Sequence, residues 1–346
     1  ELGCGGEKQK FRANIRAIQM LKKCEEENRY ATPDEQEILA GYVGWGGLAD
    51  AFDETKEEWG TEYLELKVVL TEEEYKSARE STLSAFYTPP VVIRAMYEAL
   101  ENMGLKSGNI LEPSCGTGNF AGMKPESLSD CRIYGVEIDS ISGRIAQQLY
   151  QKSTIAVQGF EEVNLPDSFF DVVIGNIPFG NYKVLDKKYD KLNFLIHDYF
   201  IAKSIDKIRP NGVLALVTSS GIGGGTMDKM DNRARKYIAE KCDMLGAIKL
   251  PNNAFLYNAG TDTNADILFF QKRESLRDLS TDMPEWIDAK KLYENEFVNT
   301  KGENRRRIVC INPYFQEHPE MVLGEVEIVM GAYGPKLVWN PFLGSN

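Results

Sequence analysis

Between residues 84 and 273 short apolar runs alternate with longer amphipathic stretches, and this alternation limits the fold more than any other feature of the chain. "NILEP", "CRIYGVEI", "FDVVIGN", "GVLALVTS", "MLGAIKLP" and "ADILFFQKR" predict strands. "PVVIRAMYEALENM", "ISGRIAQQLY" and "FLIHDYFIAKSIDKI" predict the helices between them. Strands and helices in this order give an α/β sheet that is mostly parallel, with one antiparallel member near its end. Such sheets bind ligands at the carboxyl ends of their strands. The unusual residues of this sequence fall there.

The flanks are simpler. Residues 7–80 predict helices, with Phe11, Ile15, Ile18 and Leu21 at helical spacing and a capping-box start formed by Thr32, Pro33 and Glu35. Trp45, in "GWGG", is expected to be a packing anchor. Residues 274–346 are less regular, and "INPYF" (311–315) is expected to be a turn. The expected division is a helical extension over 1–80, a catalytic domain over 81–273 and a small extension over 274–346. The glycine-rich stretch "GIGGGT" (221–226) is expected to be a flexible loop, with a plain linker favoured over a mobile substrate loop.

Charge and composition narrow the partners. The net charge of −12 opposes nonspecific attraction to a polyanion, so any grip on nucleic acid must be local or shared with a partner. The six cysteines are scattered without a CxxC pair and the two histidines lie far apart, so neither a disulfide framework nor a metal site is expected. No run approaches membrane-spanning length and the first residues lack an apolar signal core; a soluble cytoplasmic protein, free of the membrane, is expected.

"ILEPSCGTGNF" (110–120) is a strand that ends in Glu112 and Pro113 and passes into a glycine turn. Gly116 and Gly118 let backbone approach a ligand where a Cβ would clash. The pattern is not G-x-G-x-x-G, because position 121 is alanine, and it lacks the Gly-Lys-Ser/Thr of a phosphate loop. Glu137 ends the next strand 21 positions after Gly116, the usual interval for an acid gripping ribose hydroxyls. A nucleoside cofactor without a pyrophosphate fits these features. The acidic cradle, with Glu112, suits a sulfonium such as S-adenosylmethionine better than a dinucleotide. Upstream, "AFYTPPVV" (85–92) offers backbone groups at Tyr87 and Thr88 for the methionine end.

The other strand end reads "GNIPFG" (175–180). An exocyclic amine is a poor nucleophile because its lone pair is delocalised into the ring. Two acceptors on its N–H groups localise that pair, a preorganised electrostatic effect. Asn176 supplies one acceptor through its side-chain oxygen and the Ile177 carbonyl supplies the other. Pro178 holds Ile177 extended and aims that carbonyl. Phe179, expected to be exposed, offers a stacking face for a base flipped out of its helix.

In these motifs the sequence resembles the N6-adenine DNA methyltransferases, with Thr88-Pro89-Pro90, the glycine turn, Glu137 and Asn176-Ile177-Pro178-Phe179 in the family's order. "LPNNAFLYNAGTDTNADILFFQK" (250–272) resembles the end of the catalytic domain in type I modification subunits, and the flanks resemble large methylase–helicase proteins of conjugative elements and phages. The resemblance implies a Rossmann-like class I methyltransferase fold, with a seven-stranded sheet covered by helices on both faces. It implies S-adenosylmethionine held by Tyr87, Thr88, Glu112, Pro113, Gly116, Gly118, Glu137, Ile138 and Phe160, and DNA as the substrate. It also implies a fused or separate helicase or target-recognition component as a partner. Two departures stand out. Ile177 replaces the first proline of the family motif, and Gly159 precedes Phe160 where the family often has an acid, so that Gln158 or Glu161 substitutes or the contact is absent. Two alternatives remain open: methyl transfer to a protein glutamine or RNA adenine, and a non-catalytic binding module of a larger assembly.

Overall fold

The computed structural model describes residues 5–82, 88–220, 225–255, 264–298, 304–331 and 334–342. Tyr87 and positions 221–224 of the glycine-rich loop lie outside the described residues. The chain divides into two compact units, one built from the residues up to Ser107 with Leu111–Val163, the other mainly from the chain after Asn164 with Gly108–Ile110.

The first unit opens with helices α1 (Glu7–Glu26), α2 (Pro33–Leu39), α3 (Gly60–Val69), α4 (Glu72–Ser81) and α5 (Pro90–Asn102). α2 begins as its sequence dictates. The Thr32 side chain accepts from the Glu35 amide, the Glu35 carboxylate returns to the Thr32 amide, and Pro33 occupies the first turn. The apolar stripe of α1 buries Phe11, Ile18 and Leu21 completely. Trp45 is 1% exposed and takes Phe52 and Phe11 edge-on, with ring centroids at 5.2 and 6.1 Å. Asn14 is buried among them without penalty, because its amide donates to the Gly44 carbonyl at 2.6 Å and accepts from the Val43 amide at 2.8 Å.

The unit continues through β1 (Gly108–Glu112), which straddles the division, then α6 (Asn119–Gly122), β2 (Cys131–Glu137), α7 (Ser140–Leu149) and β3 (Thr154–Val157). Ile141 and Ile145 of α7 share the hydrophobic core of the N-terminal helices. A polar clamp crosses the same seam. Glu74 of α4 accepts from Lys22 at 2.9 Å and from Arg144 of α7, and Arg144 also reaches Glu25 at 2.9 Å. The N-terminal helices therefore pack as part of the unit that carries β2.

The second unit carries β4 (Phe170–Asn176), α8 (Ile196–Lys207), β5 (Ile208–Ser219), α9 (Arg233–Lys241), β6 (Cys242–Lys249) and β7 (Ala265–Lys272). After these come the antiparallel pair β8 (Lys290–Val298) and β9 (Asn304–Ile311), the short helix α10 (Pro313–Glu317), and the antiparallel pair β10 (Glu325–Gly331) and β11 (Gly334–Asn340). The main sheet has seven strands in the order β3-β2-β1-β4-β5-β7-β6. β2 with β3 and β4 with β5 are parallel, whereas β7 runs antiparallel to both its neighbours, as the alternation predicted.

The chain after β7 docks through buried charge. Lys249, fully buried at the end of β6, donates to Asp228 at 2.6 Å and Asp266 at 2.8 Å, under the rings of Phe315 and Trp339. Asn312 binds the other oxygen of Asp228 through its amide, and its side chain donates to the Trp286 carbonyl. It also caps α10, so "INPYF" opens a helix and is not the turn expected of it; the buried partners that hold Asn312 come from distant sequence. Arg235, also buried, donates to the carbonyls of Thr226, Lys229 and Ile287. Gly225 enters this network with φ +58°, its backbone pressed against the Ser219 carbonyl where a Cβ would collide. Trp45→Ala should lower the unfolding free energy by about 3–5 kcal/mol, the range for deleting a buried large aromatic. Urea denaturation followed by fluorescence measures it, and a loss below about 1 kcal/mol would contradict the packing role given to this ring.

Candidate functional site

The cofactor candidates of the first unit gather at the end of β1 and β2. The turn after Pro113 crosses to β2 through the Cys115 amide, which donates to the Val136 carbonyl at 2.9 Å. Gly116 and Gly118 both have positive φ, +53° and +86°, so the turn needs glycine at these positions. Gly118 serves packing as well: a Cβ there would collide with the ring of Tyr150, which also fills the space beside Gly122. Tyr150 follows α7, and nothing in its local sequence points to this contact.

Glu137 accounts for its spacing from the turn directly. Its Oε2 accepts from the Gly116 amide at 2.7 Å and its Oε1 from the Asp139 amide at 2.8 Å. An ionised carboxylate has about four lone-pair sites, so two remain for ligand hydroxyls. Burial pushes the Glu137 carboxyl up to about 7, with the nearby Asp139 charge adding to the rise and the backbone amides of Asp139, Gly116 and Ile138 opposing it. Glu112, 3% exposed, is pushed well above the usual carboxyl range by burial and then by the charge of Glu137. Two buried carboxyls beside a glycine turn suit a cationic ligand, which would relieve both the desolvation and the mutual repulsion. The donor set therefore fits S-adenosylmethionine.

The remaining first-unit candidates differ in exposure. Thr88 and Pro113 are buried, while Ile138 is 71% exposed beside Glu137 and offers an apolar face. Phe160 is 2% exposed. A Cβ at Gly159 would collide with the carboxylate of Glu161, which folds back over that position. The Glu161 carboxylate therefore occupies the space that a side chain at position 159 would fill. Asp139 is a further residue that sequence reasoning missed. It caps α7 through the Ser142 amide at 2.9 Å and accepts from the Ser77 hydroxyl at 3.0 Å.

The second unit places Asn176 at the last position of β4, paired with Val217 of β5. The ladder runs one residue further, because the Ile177 amide donates to the Val217 carbonyl at 3.0 Å. That bond fixes the peptide between Asn176 and Ile177, and Pro178 restricts the next one. Ile177 is 1% exposed, and its side chain anchors the turn in the core. Phe179 is half-buried, not exposed as expected, so one part of its ring packs on protein. Among the described residues no group of histidine, cysteine and carboxylate side chains could hold a metal ion, and no helix is long and apolar enough to cross a membrane.

The family model described as N-6 DNA Methylase matches residues 71–322. Among curated proteins, the chain is similar to the defense against restriction protein B of Escherichia phage P1, 31% identical over 75% of this chain and 10% of that protein. It is 30% identical to the type II methyltransferase M.CvrRI of Paramecium bursaria Chlorella virus XZ-6E, over 54% of this chain and 48% of the relative. It is 27% identical to the type I restriction enzyme EcoEI methylase subunit of Escherichia coli, over 56% and 44% respectively. The chain thus spans less than half the length of each of these relatives.

The raised carboxyl of Glu137 sets a pH dependence. Its folded value lies above the ordinary 4.5, so its contribution to stability is present at low pH and is lost as pH rises through about 7. A cationic ligand favours the ionised form, so affinity for S-adenosylmethionine should rise with pH over the same window, by up to roughly tenfold per unit for each proton released. Calorimetry in two buffers of different ionisation enthalpy measures this. Binding heats that do not depend on the buffer at pH 6 would refute it.

Proposed function

The chain belongs to the N-6 DNA methylase family, and on that premise we propose that it is the catalytic portion of an S-adenosylmethionine-dependent adenine-N6 DNA methyltransferase. The observation that supports this most is the end of β4, where Asn176 is the last residue of the strand and the Ile177 amide extends the β4–β5 ladder by one bond, fixing the peptide that joins the two. When bound, S-adenosylmethionine supplies a methyl group activated by its sulfonium. Asn176 Oδ1 and the Ile177 carbonyl accept from the two N–H groups of the target amine and localise its lone pair for attack. Bonding of the methyl carbon to nitrogen would break its bond to sulfur and leave a neutral thioether, and the amine would then give up one of those protons to solvent. Phe179 stacks on the flipped adenine with the exposed part of its ring.

On the cofactor side, Glu137 uses its two remaining lone-pair sites for the ribose hydroxyls. The turn from Pro113 through Gly116 and Gly118, with Glu112, Tyr87 and Thr88, holds the methionine part. Ile138 and Phe160 pack on the adenine of the cofactor, and Glu161 accepts from its amine in place of the acid missing at Gly159. The catalytic domain covers 81–273 in this proposal, flanked by extensions over 1–80 and 274–346. Recognition of the DNA site is shared with a fused or separate component, and the protein works in the cytoplasm.

Asn176→Ala should lower methyl transfer by about 10²–10³-fold, the cost of removing one preorganised polar group from a reacting centre. Its dissociation constant for S-adenosylmethionine should not change. Radiolabelled transfer to DNA, RNA and ribosomal protein in parallel, with calorimetry of the cofactor, tests both statements. Full turnover in the variant would remove Asn176 from the acceptor role. Label in protein or RNA alone would replace DNA as the substrate.

A further inference from the structure

The strand-end motif leads into a stretch that differs in charge from the rest of the protein. Residues 181–193 read "NYKVLDKKYDKLN", four lysines against two aspartates in a chain of net charge −12. Both aspartates are occupied internally. Asp186 Oδ2 accepts from the Tyr199 hydroxyl at 2.8 Å and from Lys203 at 2.9 Å, and Asp190 Oδ1 accepts from the Asp186 amide at 2.9 Å. Lys188 is occupied too, by Asp206 at 2.8 Å and Asp167 at 3.1 Å. Lys183, Lys187 and Lys191 are exposed and have no carboxylate partner among the described residues; Lys183 touches only the neutral Asn193 side chain.

An apolar side chain stands between these cations. Leu185 is 86% exposed, and Tyr182 is 53% exposed with its ring laid over Gly180. The loop is nonetheless held firmly. The Ile196 amide donates to the Tyr182 carbonyl at 2.9 Å, and the Tyr189 hydroxyl donates to Asp206 at 2.6 Å. Tyr189 and Tyr199 pack edge-on with centroids 5.6 Å apart. A fixed loop that projects three lysines without carboxylate partners among the described residues, and a leucine, has the composition of a duplex-gripping element. Lysines neutralise phosphates, and apolar wedges enter a base stack that has been opened.

We propose that residues 181–191 grip duplex DNA beside the extruded base, with Lys183, Lys187 and Lys191 on phosphates and Leu185 in the gap that the target adenine leaves. The proposal rests on the adenine-methyltransferase reading above. It explains how an acidic protein engages a polyanion locally, and a filled gap offsets part of the cost of taking the target base out of the stack.

The test uses the whole chain with genomic DNA, duplex or heat-denatured, and with duplex RNA. Replacing Lys183, Lys187 and Lys191 together by alanine should reduce the slope of log affinity for duplex DNA against log salt by about 2–3, since each phosphate contact contributes about 0.9. Leu185→Ala should lower methyl transfer to duplex DNA roughly tenfold or more and leave transfer to denatured DNA within about twofold, because single strands need no unstacking. An unchanged salt slope in the triple variant overturns the phosphate role. Equal losses on duplex and denatured DNA overturn the wedge. Lysine-dependent binding that is tighter for duplex RNA than for duplex DNA overturns the choice of partner. A wild-type chain that transfers nothing to DNA, while the triple variant still loses the slope, refutes the methyltransferase reading and supports the grip.

Discussion

The carboxylate of Glu137 is the constraint on which the first unit is organised. It ends β2, yet its oxygens hold the amide of Gly116 in the preceding turn and the amide of Asp139 at the start of α7. A strand, a glycine turn and a helix are therefore positioned by one side chain. Asp139 extends the chain of contacts to Ser77 of α4, and Arg144 of α7 returns it to Glu74. The N-terminal helices are bonded to the frame of the glycine turn by these polar links as well as by shared apolar core. A buried network of this kind is worth having only when every member is satisfied, and here the carboxylates find amides, hydroxyls or cations.

The second unit uses charge differently. Lys249, Asp228, Asp266, Asn312 and Arg235 fasten the chain after β7 to the ends of β5 and β6. Breaking a buried ion pair by removing one partner commonly costs several kcal/mol, whereas replacing all partners with apolar groups costs little. The cluster therefore specifies which segments meet more than it supplies net stability.

Much of this was legible in the sequence, and the reason is locality. Thr32 with Glu35, the apolar spacing of α1 and the β-rich runs each carry their signal within a few residues, and each forms the element expected. Trp45 was legible because a tryptophan between glycines has few roles besides packing. The places of Glu137 and Asn176 at strand ends were legible because each closes a short apolar run. β3 and α9 were missed; one is four residues long and the other lies in a polar stretch, so periodicity is weak in both. The partners of Tyr150, Asn312 and Lys249 were not legible at all. Each meets residues from distant parts of its unit, and nothing in the local sequence names them. Glu161 stands between these cases: it was readable as one candidate beside Gly159, and only the folded backbone shows its carboxylate lying over that glycine.

The rings over Lys249 have a consequence for the order of events on the ribosome. Trp339 lies 5.1 Å from the ammonium, its carbonyl accepts from the Asn252 amide, and the neighbouring Leu337 carbonyl accepts from Asn264. Synthesis proceeds from the amino end, so the strands of this unit emerge well before the segment that covers them. Until then a lysine and two aspartates wait at an unfinished surface. The second unit completes itself only after translation has passed residue 339.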